Sequence, residues 1–292
     1  MHKLLAAAFG LLFTFSAFAQ TELTIDDIWK NGTYRQKSVY GLRSMNDGAH
    51  YTVLESDRGG QSIVKYAYST GEKVESILAE STLKDISKNS DINIGNYQFS
   101  ADESKVLIAY DEESIYRHSS KARYYVIDLK ANKATQIARG EQVRNGVFSP
   151  DGQMLSYISD NNIFIQNLKT QQTTQVTNDG EYNNIINGFA DWVYEEEFAF
   201  DQAYFWSPDS KMIAFYKSDE SKVKKFHMPL FNGLYPEDYS FKYPKAGEDN
   251  SKVTIHLYSL EGNNTQQLQL ADYEYIPRIK WTQSADYLAV MR

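Results

Sequence analysis

One short phrase recurs along this chain and restricts its fold more than any other feature. Phe99-Ser100-Ala101-Asp102 precedes the apolar run VLIAY, and Phe148-Ser149-Pro150-Asp151-Gly152 precedes MLSYI. Trp206-Ser207-Pro208-Asp209-Ser210 precedes MIAFY, and Trp281-Thr282-Gln283-Ser284-Ala285-Asp286 precedes YLAVM. A weaker copy, Met45-Asn46-Asp47-Gly48, precedes HYTVLES. Each copy reads as an aromatic that closes one strand toward a core, a tight turn, and a strand that returns antiparallel. Pro presets φ in such a turn, and Asp or Gly tolerates the left-handed region. The following segment often reads strand, polar hairpin, strand, as in IFIQNLKTQQTTQVT. A four-stranded antiparallel unit repeated in tandem is the pattern of a β-propeller. The expected fold is therefore all-β, a partial propeller of such blades; a β-sandwich with coincidental turn phrases is the alternative.

The copies begin at 99, 148, 206 and 281, so the spacings are 49, 58 and 75 residues. A regular blade takes about 40–45 residues. The excess must sit in loops or inserts, where propellers tend to carry function. Between the phrases the apolar runs are short, β-branched or aromatic, and flanked by Gly, Asn, Asp or Ser: 105–110, 124–129, 163–168 and 253–258 are examples. With 22 Tyr and 15 Phe in 292 residues, the composition favours strands. The last copy supplies a turn and one strand before Arg292, so the ring is expected to be incomplete over residues 20–292.

Composition excludes several chemistries. There is no cysteine, which removes disulfides, thiolate zinc sites, iron–sulfur clusters and a thiol nucleophile. A net charge of −8 without a basic run argues against nucleic acid as a partner. Residues 1–19 have the form of a secretory signal peptide: Lys3, an apolar stretch from Leu4 to Phe15, and Ala17-Phe18-Ala19 as a cleavage site. Export to the periplasm or medium is expected, with an uncleaved anchor as the alternative.

Two long stretches fall outside the repeat, 179–205 and 221–250. The first holds Asp191-Trp192-Val193-Tyr194-Glu195-Glu196-Glu197-Phe198. Adjacent carboxylates repel unless a cation or solvent answers them. A short helix near 190–200 is expected, capped by Asp191, with its first turn acidic and favouring the macrodipole. Neighbouring glutamates on such a helix diverge by about 100°, so two could still reach one cation off its side. A substrate ammonium is such a cation. The second stretch, from Phe226 to Gly247, carries Tyr235-Pro236 and Tyr243-Pro244 among other aromatics and is expected to form an extended arm in contact with a partner.

These residues resemble a known family. DWVYEEEF, then FWSPDSKMIAFYKSDESKV, then YPKAGEDNSKV, with Tyr116-Arg117-His118-Ser119 upstream, is similar in content and order to the dipeptidyl peptidase IV family of prolyl-oligopeptidase-like serine peptidases. The similarity runs from about residue 25 to 292. It implies an eight-bladed propeller over an α/β-hydrolase that releases N-terminal dipeptides ending in proline or alanine. It implies that Glu196 and Glu197 bind the peptide α-ammonium. It implies that Arg117 binds the carbonyl of the second substrate residue and orients the glutamates, and that 226–250 helps form a homodimer.

No G-x-S-x-G elbow is present; Gly60-Gln61-Ser62-Ile63-Val64 departs at its last position. His118 and His256 lie in or beside strand-like segments without an elbow to serve. No H-E-x-x-H or other metal-ligand pattern occurs among the five histidines, and no cofactor is expected. The chain is thus expected to be the substrate-recognition propeller part of an exported serine dipeptidyl peptidase, inactive alone, with peptides bearing a free N-terminus as ligands. The alternative is a stand-alone propeller that binds peptide or protein without catalysis.

Overall fold

The structure is a computed structural model that describes residues 23–36 and 40–292. The expected signal peptide, 1–19, lies outside the described residues. The chain divides into two units, 1–41 and 42–292. In the first, helix α1 (Ile25–Trp29) is capped by Thr24, whose Oγ1 accepts from the Asp27 N–H at 3.1 Å.

In the second unit each recurrence of the phrase sits between the first and second strands of a sheet. The first sheet runs β1 (Arg43–Ser44), β2 (His50–Asp57), β3 (Gly60–Ala67) and β4 (Lys73–Ala79), followed by α2 (Glu80–Ser87). The second runs β5 (Asn96–Phe99), β6 (Lys105–Ser114), β7 (Ser120–Asp128) and β8 (Lys133–Gln136). The third runs β9 (Arg144–Phe148), β10 (Met154–Ser159), β11 (Asn162–Asn167) and β12 (Thr173–Gln175). All their pairings are antiparallel meanders, as expected of propeller blades.

The turn chemistry repeats atom for atom. Ser100, Ser149 and Ser207 are buried, and each Oγ donates to the Asp two residues on at 2.6 Å. Each Oγ also accepts the first N–H of the returning strand, from Lys105, Met154 and Met212 at 3.0, 3.0 and 2.9 Å. The left-handed residue is the one after the Asp, not the Asp itself: Glu103, Gly152 and Ser210 have φ of 56°, 64° and 62°. Gly152 takes that conformation freely, whereas Glu103 and Ser210 accept a cost of roughly 1–2 kcal/mol. Adjacent blades are joined at these turns, since the Asp151 N–H donates to Ser210 Oγ at 3.0 Å.

The core lies between sheets rather than at one centre. On β6, Val106, Ile108 and Tyr110 face the first blade with Ile63, Leu78 and Leu83, while Leu107 faces the third with Leu155 and Tyr157. On β15 (Met212–Asp219), Ile213 and Phe215 pack toward the third blade, whereas Ala214 and Tyr216 pack on the opposite side. Side chains alternate faces along a strand, so a sheet covered on both sides needs apolar residues at both parities. That is why these strands read as continuous apolar runs rather than alternating ones.

The fourth blade holds both inserts. Its first strand is split into β13 (Ile185–Asn187) and β14 (Tyr204–Trp206), which pair with successive parts of β15. Between them, residues 188–203 leave the sheet and form α3 (Trp192–Phe198), where the short helix is expected. The expected arm is a two-stranded ribbon, β16 (Lys225–Leu230) with β17 (Glu237–Lys242), inserted between β15 and β18 (Lys252–Ser259). At its tip Phe231, Leu234 and Tyr235 are exposed. β19 (Asn264–Gln267) completes the blade, and β20 (Arg278–Trp281) with β21 (Leu288–Met291) form a two-stranded sheet.

Candidate functional site

Helix α3 begins as its sequence dictates. Asp191 is its N-cap and accepts the Tyr194 N–H at 2.8 Å. Burial raises the Asp191 carboxyl above its ordinary range, against the hydrogen bonds from Ser251 and the helix backbone. The expected acidic first turn holds for Glu195 alone. Over seven residues only Glu195 falls near the start, and Glu196 and Glu197 occupy the last turn, just before the left-handed C-cap Ala199. There the helix dipole opposes the carboxylates. The C-terminal end thus becomes a concentrated negative locus, partly answered by Arg278, whose Nη2 donates to the Phe198 carbonyl at 2.6 Å.

The period of the helix decides what each side chain meets. Tyr194 and Phe198, four residues apart, share the face that enters the core, where Tyr194 packs against Tyr216 and Tyr275 and its Oη accepts the Ile276 N–H at 3.0 Å. Trp192, Glu195 and Glu196, spaced i, i+3 and i+4, share another face. All three meet one loop, the tip joining β6 to β7. Trp192 lies against Tyr116 with ring centroids 5.7 Å apart. Glu195 is buried, and its Oε1 accepts from His118 N, Ser119 N and Ser119 Oγ at 2.8, 2.9 and 2.9 Å. Glu196 forms an ion pair with Arg117, Nη2 to Oε1, at 3.1 Å.

Arg117 and Glu196, expected to act together, are brought together across 79 residues of sequence. Arg117 stays 61% exposed at its side chain and Glu196 21%, so the pair lies at a boundary between protein and solvent. Glu196 Oε2 is shielded from solvent and has no hydrogen-bond partner among the described residues. Glu197 follows on the same turn, is exposed, and makes no ion pair among the described residues. The three acids are thus answered differently: Glu195 by backbone N–H groups, Glu196 by a guanidinium, Glu197 by solvent.

A second polar cluster supports the helix from below. Glu220 is buried and its carboxyl is pushed up to about 8, first by burial and then by Asp191, with Lys242 pulling it back. Lys242, buried at the base of the ribbon, donates Nζ to the Val223 carbonyl. Tyr243 meets Trp192 edge-on at 4.3 Å, continuing the aromatic contacts from Tyr116 to the ribbon. Sequence reasoning did not single out Glu195, Glu220 or Lys242; in a run of three glutamates nothing local marks which one turns inward.

Of the residues set aside earlier, His118 reaches this site through its backbone and the others lie elsewhere. Gly60 to Val64 sit within β3, without a strand-to-helix turn. His118 contributes its backbone N–H to Glu195, and His256 stacks on Phe215. Among the described residues no group of three His, Asp or Glu side chains is placed to hold a metal ion.

Comparison with known proteins bears on this arrangement. The family described as "Dipeptidyl peptidase IV (DPP IV) N-terminal region" matches residues 100–292. Dipeptidyl aminopeptidase B of Saccharomyces cerevisiae is 33% identical over 222 residues, covering 74% of this chain and 26% of the relative. Prolyl endopeptidase FAP of Homo sapiens is 31% identical, covering 80% of this chain and 30% of the relative. Inactive dipeptidyl peptidase 10 of Mus musculus is 32% identical over 215 residues, covering 70% of this chain and 27% of the relative. The crystal structure of Porphyromonas gingivalis dipeptidyl peptidase 4 superposes with a TM-score of 0.82 at 41% identity, over 92% of this chain and 38% of that one. The chain spans roughly a quarter to two fifths of the length of these relatives.

Proposed function

Because the chain belongs to the family of the dipeptidyl peptidase IV N-terminal region, we propose that it is the substrate-recognition part of an exported serine dipeptidyl peptidase. Peptides enter with a free N-terminus, and Glu196 and Glu197 accept the α-ammonium. Arg117 holds Glu196 in place and offers its remaining N–H donors to a carbonyl of the peptide. Two acids and one donor at the end of a channel act as a ruler: gripping the charged head sets which peptide bond reaches the nucleophile. The bond is then broken by acyl transfer to a serine of the hydrolase region and by hydrolysis. The aromatic tip of the ribbon is the surface through which two copies associate.

The observation that carries this reading is the state of Glu196. Its side chain is 21% exposed, its Oε1 faces the Arg117 guanidinium at 3.1 Å, and the exposed carboxylate of Glu197 follows, so a cation arriving from solvent meets two acids beside one donor. Neighbouring carboxylates repel unless a cation answers them, and an ammonium supplies three donors together with that charge. At an effective dielectric near 20, an ammonium about 4 Å from a carboxylate gains roughly 4 kcal/mol before desolvation. A hydrogen bond to a charged group nets about 1.5–3 kcal/mol, or roughly 10–100-fold in affinity.

Titration calorimetry of the 292-residue chain with Ala-Pro-amide and its N-acetylated twin tests this directly. Binding that requires the free amine, and that weakens by about 10–100-fold in Glu196→Gln, is expected. Equal affinity for the two peptides overturns the assignment. The similarity to a relative named inactive favours a second reading, recognition without catalysis. Release of a chromophore from Ala-Pro-p-nitroanilide by the native protein isolated from its source separates the two.

A further inference from the structure

We propose that Glu195 is the positioning residue of this site, and that its buried carboxylate fixes the distance between Arg117 and Glu196. The inference rests on the recognition reading above and deepens it. β5 flanks β6 as far as Ala109, β8 flanks β7 from Tyr125, and a bridge from Ala122 to Val143 is the last backbone pairing outward from β7 among the described residues. Beyond a register shift β6 and β7 continue as a bare ribbon, with Glu113 opposite Lys121 and Ser114 opposite Ser120. Arg117 stands at the tip of this ribbon, where a two-stranded hairpin on its own is marginally stable.

What holds the tip is mainly Glu195. Its Oε1 collects three donors, His118 N, Ser119 N and Ser119 Oγ, from the two residues that follow Arg117. Glu195 and Ser119 are 4% and 2% exposed, so these bonds are shielded from water. Two of the donors are backbone groups, so the anchor sets the path of the chain rather than the rotamer of one side chain. Glu195 and Glu196 are consecutive on one helix, and so are Arg117 and His118 on the loop. One rigid link at 195–118/119 therefore places the neighbouring pair, 196–117, in register. The ordering of Arg117, a long and mostly exposed side chain, is then settled before a peptide arrives.

A positioning role and a purely structural one differ in what they do to selectivity. The probe is Ala-Pro-amide against its N-acetylated twin, titrated into the 292-residue chain and its variants. Glu195→Ala is expected to reduce the preference for the free amine about tenfold, and Glu195→Gln, which keeps an acceptor, within about threefold of the parent. In a Glu196→Gln background, Glu195→Ala is expected to change the preference less than about twofold, since its effect passes through Glu196. Hydrogen exchange should quicken at the His118 and Ser119 amides while 106–109 and 125–128 stay protected. If Glu195→Ala does not fold, Ser119→Ala removes one of the three donors from an otherwise intact chain, and a loss of about threefold is expected. Full preference in Glu195→Ala, with Glu196→Gln still impaired, overturns this inference alone. Full preference in Glu196→Gln overturns the recognition reading and this inference with it.

Discussion

Replacing Ser207 by Ala should destabilise the blade far more than the loss of one oxygen atom suggests. The hydroxyl is fully buried, donates to Asp209 at 2.6 Å, and accepts the Met212 N–H at 2.9 Å. Alanine removes both bonds and leaves the Met212 N–H without its partner inside the sheet. An unpaired buried donor costs about 1–3 kcal/mol, and a hydrogen bond to a charged group is worth about 1.5–3 kcal/mol. Asp209 is exposed and can turn to water, so its share belongs at the low end. The sum is about 2–4 kcal/mol, a large part of the roughly 5–15 kcal/mol that stabilises a domain. Trp206 provides the signal, being buried with its indole N–H donated to Ser156 Oγ at 2.8 Å. In urea unfolding followed by tryptophan fluorescence, the midpoint should fall by roughly 1 M for a slope near 3 kcal/mol/M. Ser100→Ala and Ser149→Ala are built the same way and serve as replicates in other blades. The Ser100 bond is the first cause holding Asp102 down at about 2. A carboxyl lowered on folding stabilises above its unfolded pKa, and that contribution is lost as pH falls through the folded value. The cost of Ser100→Ala should therefore shrink as pH approaches 2. A loss below about 0.5 kcal/mol in all three variants would refute the argument that these turns are locked by the serine hydroxyl.

Two further outcomes are expected. Glu220, pushed up to about 8 by burial and by Asp191, binds a proton in the folded chain that the unfolded chain has already released above its ordinary 4.5. Stability should therefore fall as pH rises between about 4.5 and 8, by up to about 1.4 kcal/mol per pH unit, and Glu220→Gln should flatten that slope in urea midpoints measured from pH 5 to 9. Replacing Phe231, Leu234 and Tyr235 together by Ser, at a tip where they are 78%, 93% and 79% exposed, should weaken self-association by at least about 100-fold in sedimentation equilibrium and leave the unfolding midpoint unchanged. A parent chain that is monomeric throughout the micromolar range would remove the ribbon's assigned role.

The repeat was legible because its turns are local. Ser100 to Lys105, Ser149 to Met154 and Ser207 to Met212 close within five residues, so the side chains that stabilise each turn are neighbours in sequence. The Asp191 cap and the short helix after it were legible for the same reason. Two local details were not. The left-handed residue proved to be the one after the Asp, as expected where that is Gly152 but not where it is Glu103 or Ser210. Glu196 and Glu197 proved to lie at the end of α3, because the cap at 191 and the stop at Ala199 leave only seven helical residues between them.

The pairing of Arg117 with Glu196 spans two blades, and composition or period contains nothing that selects it. The same holds for Glu220 beside Asp191 and Lys242, where two acids and a base from three separate segments settle their charges on one another. From residues alone this protein had its strand-and-turn unit, its two inserts and the helix cap determined, since each depends on hydrogen bonds and periodicities a few residues long. Only the assembled blades decided which of three consecutive glutamates is buried, which meets a guanidinium and which is left to solvent. Burial and ion pairing are set by what stands opposite a side chain in space, and for α3 that is a loop from a blade folded some 75 residues earlier.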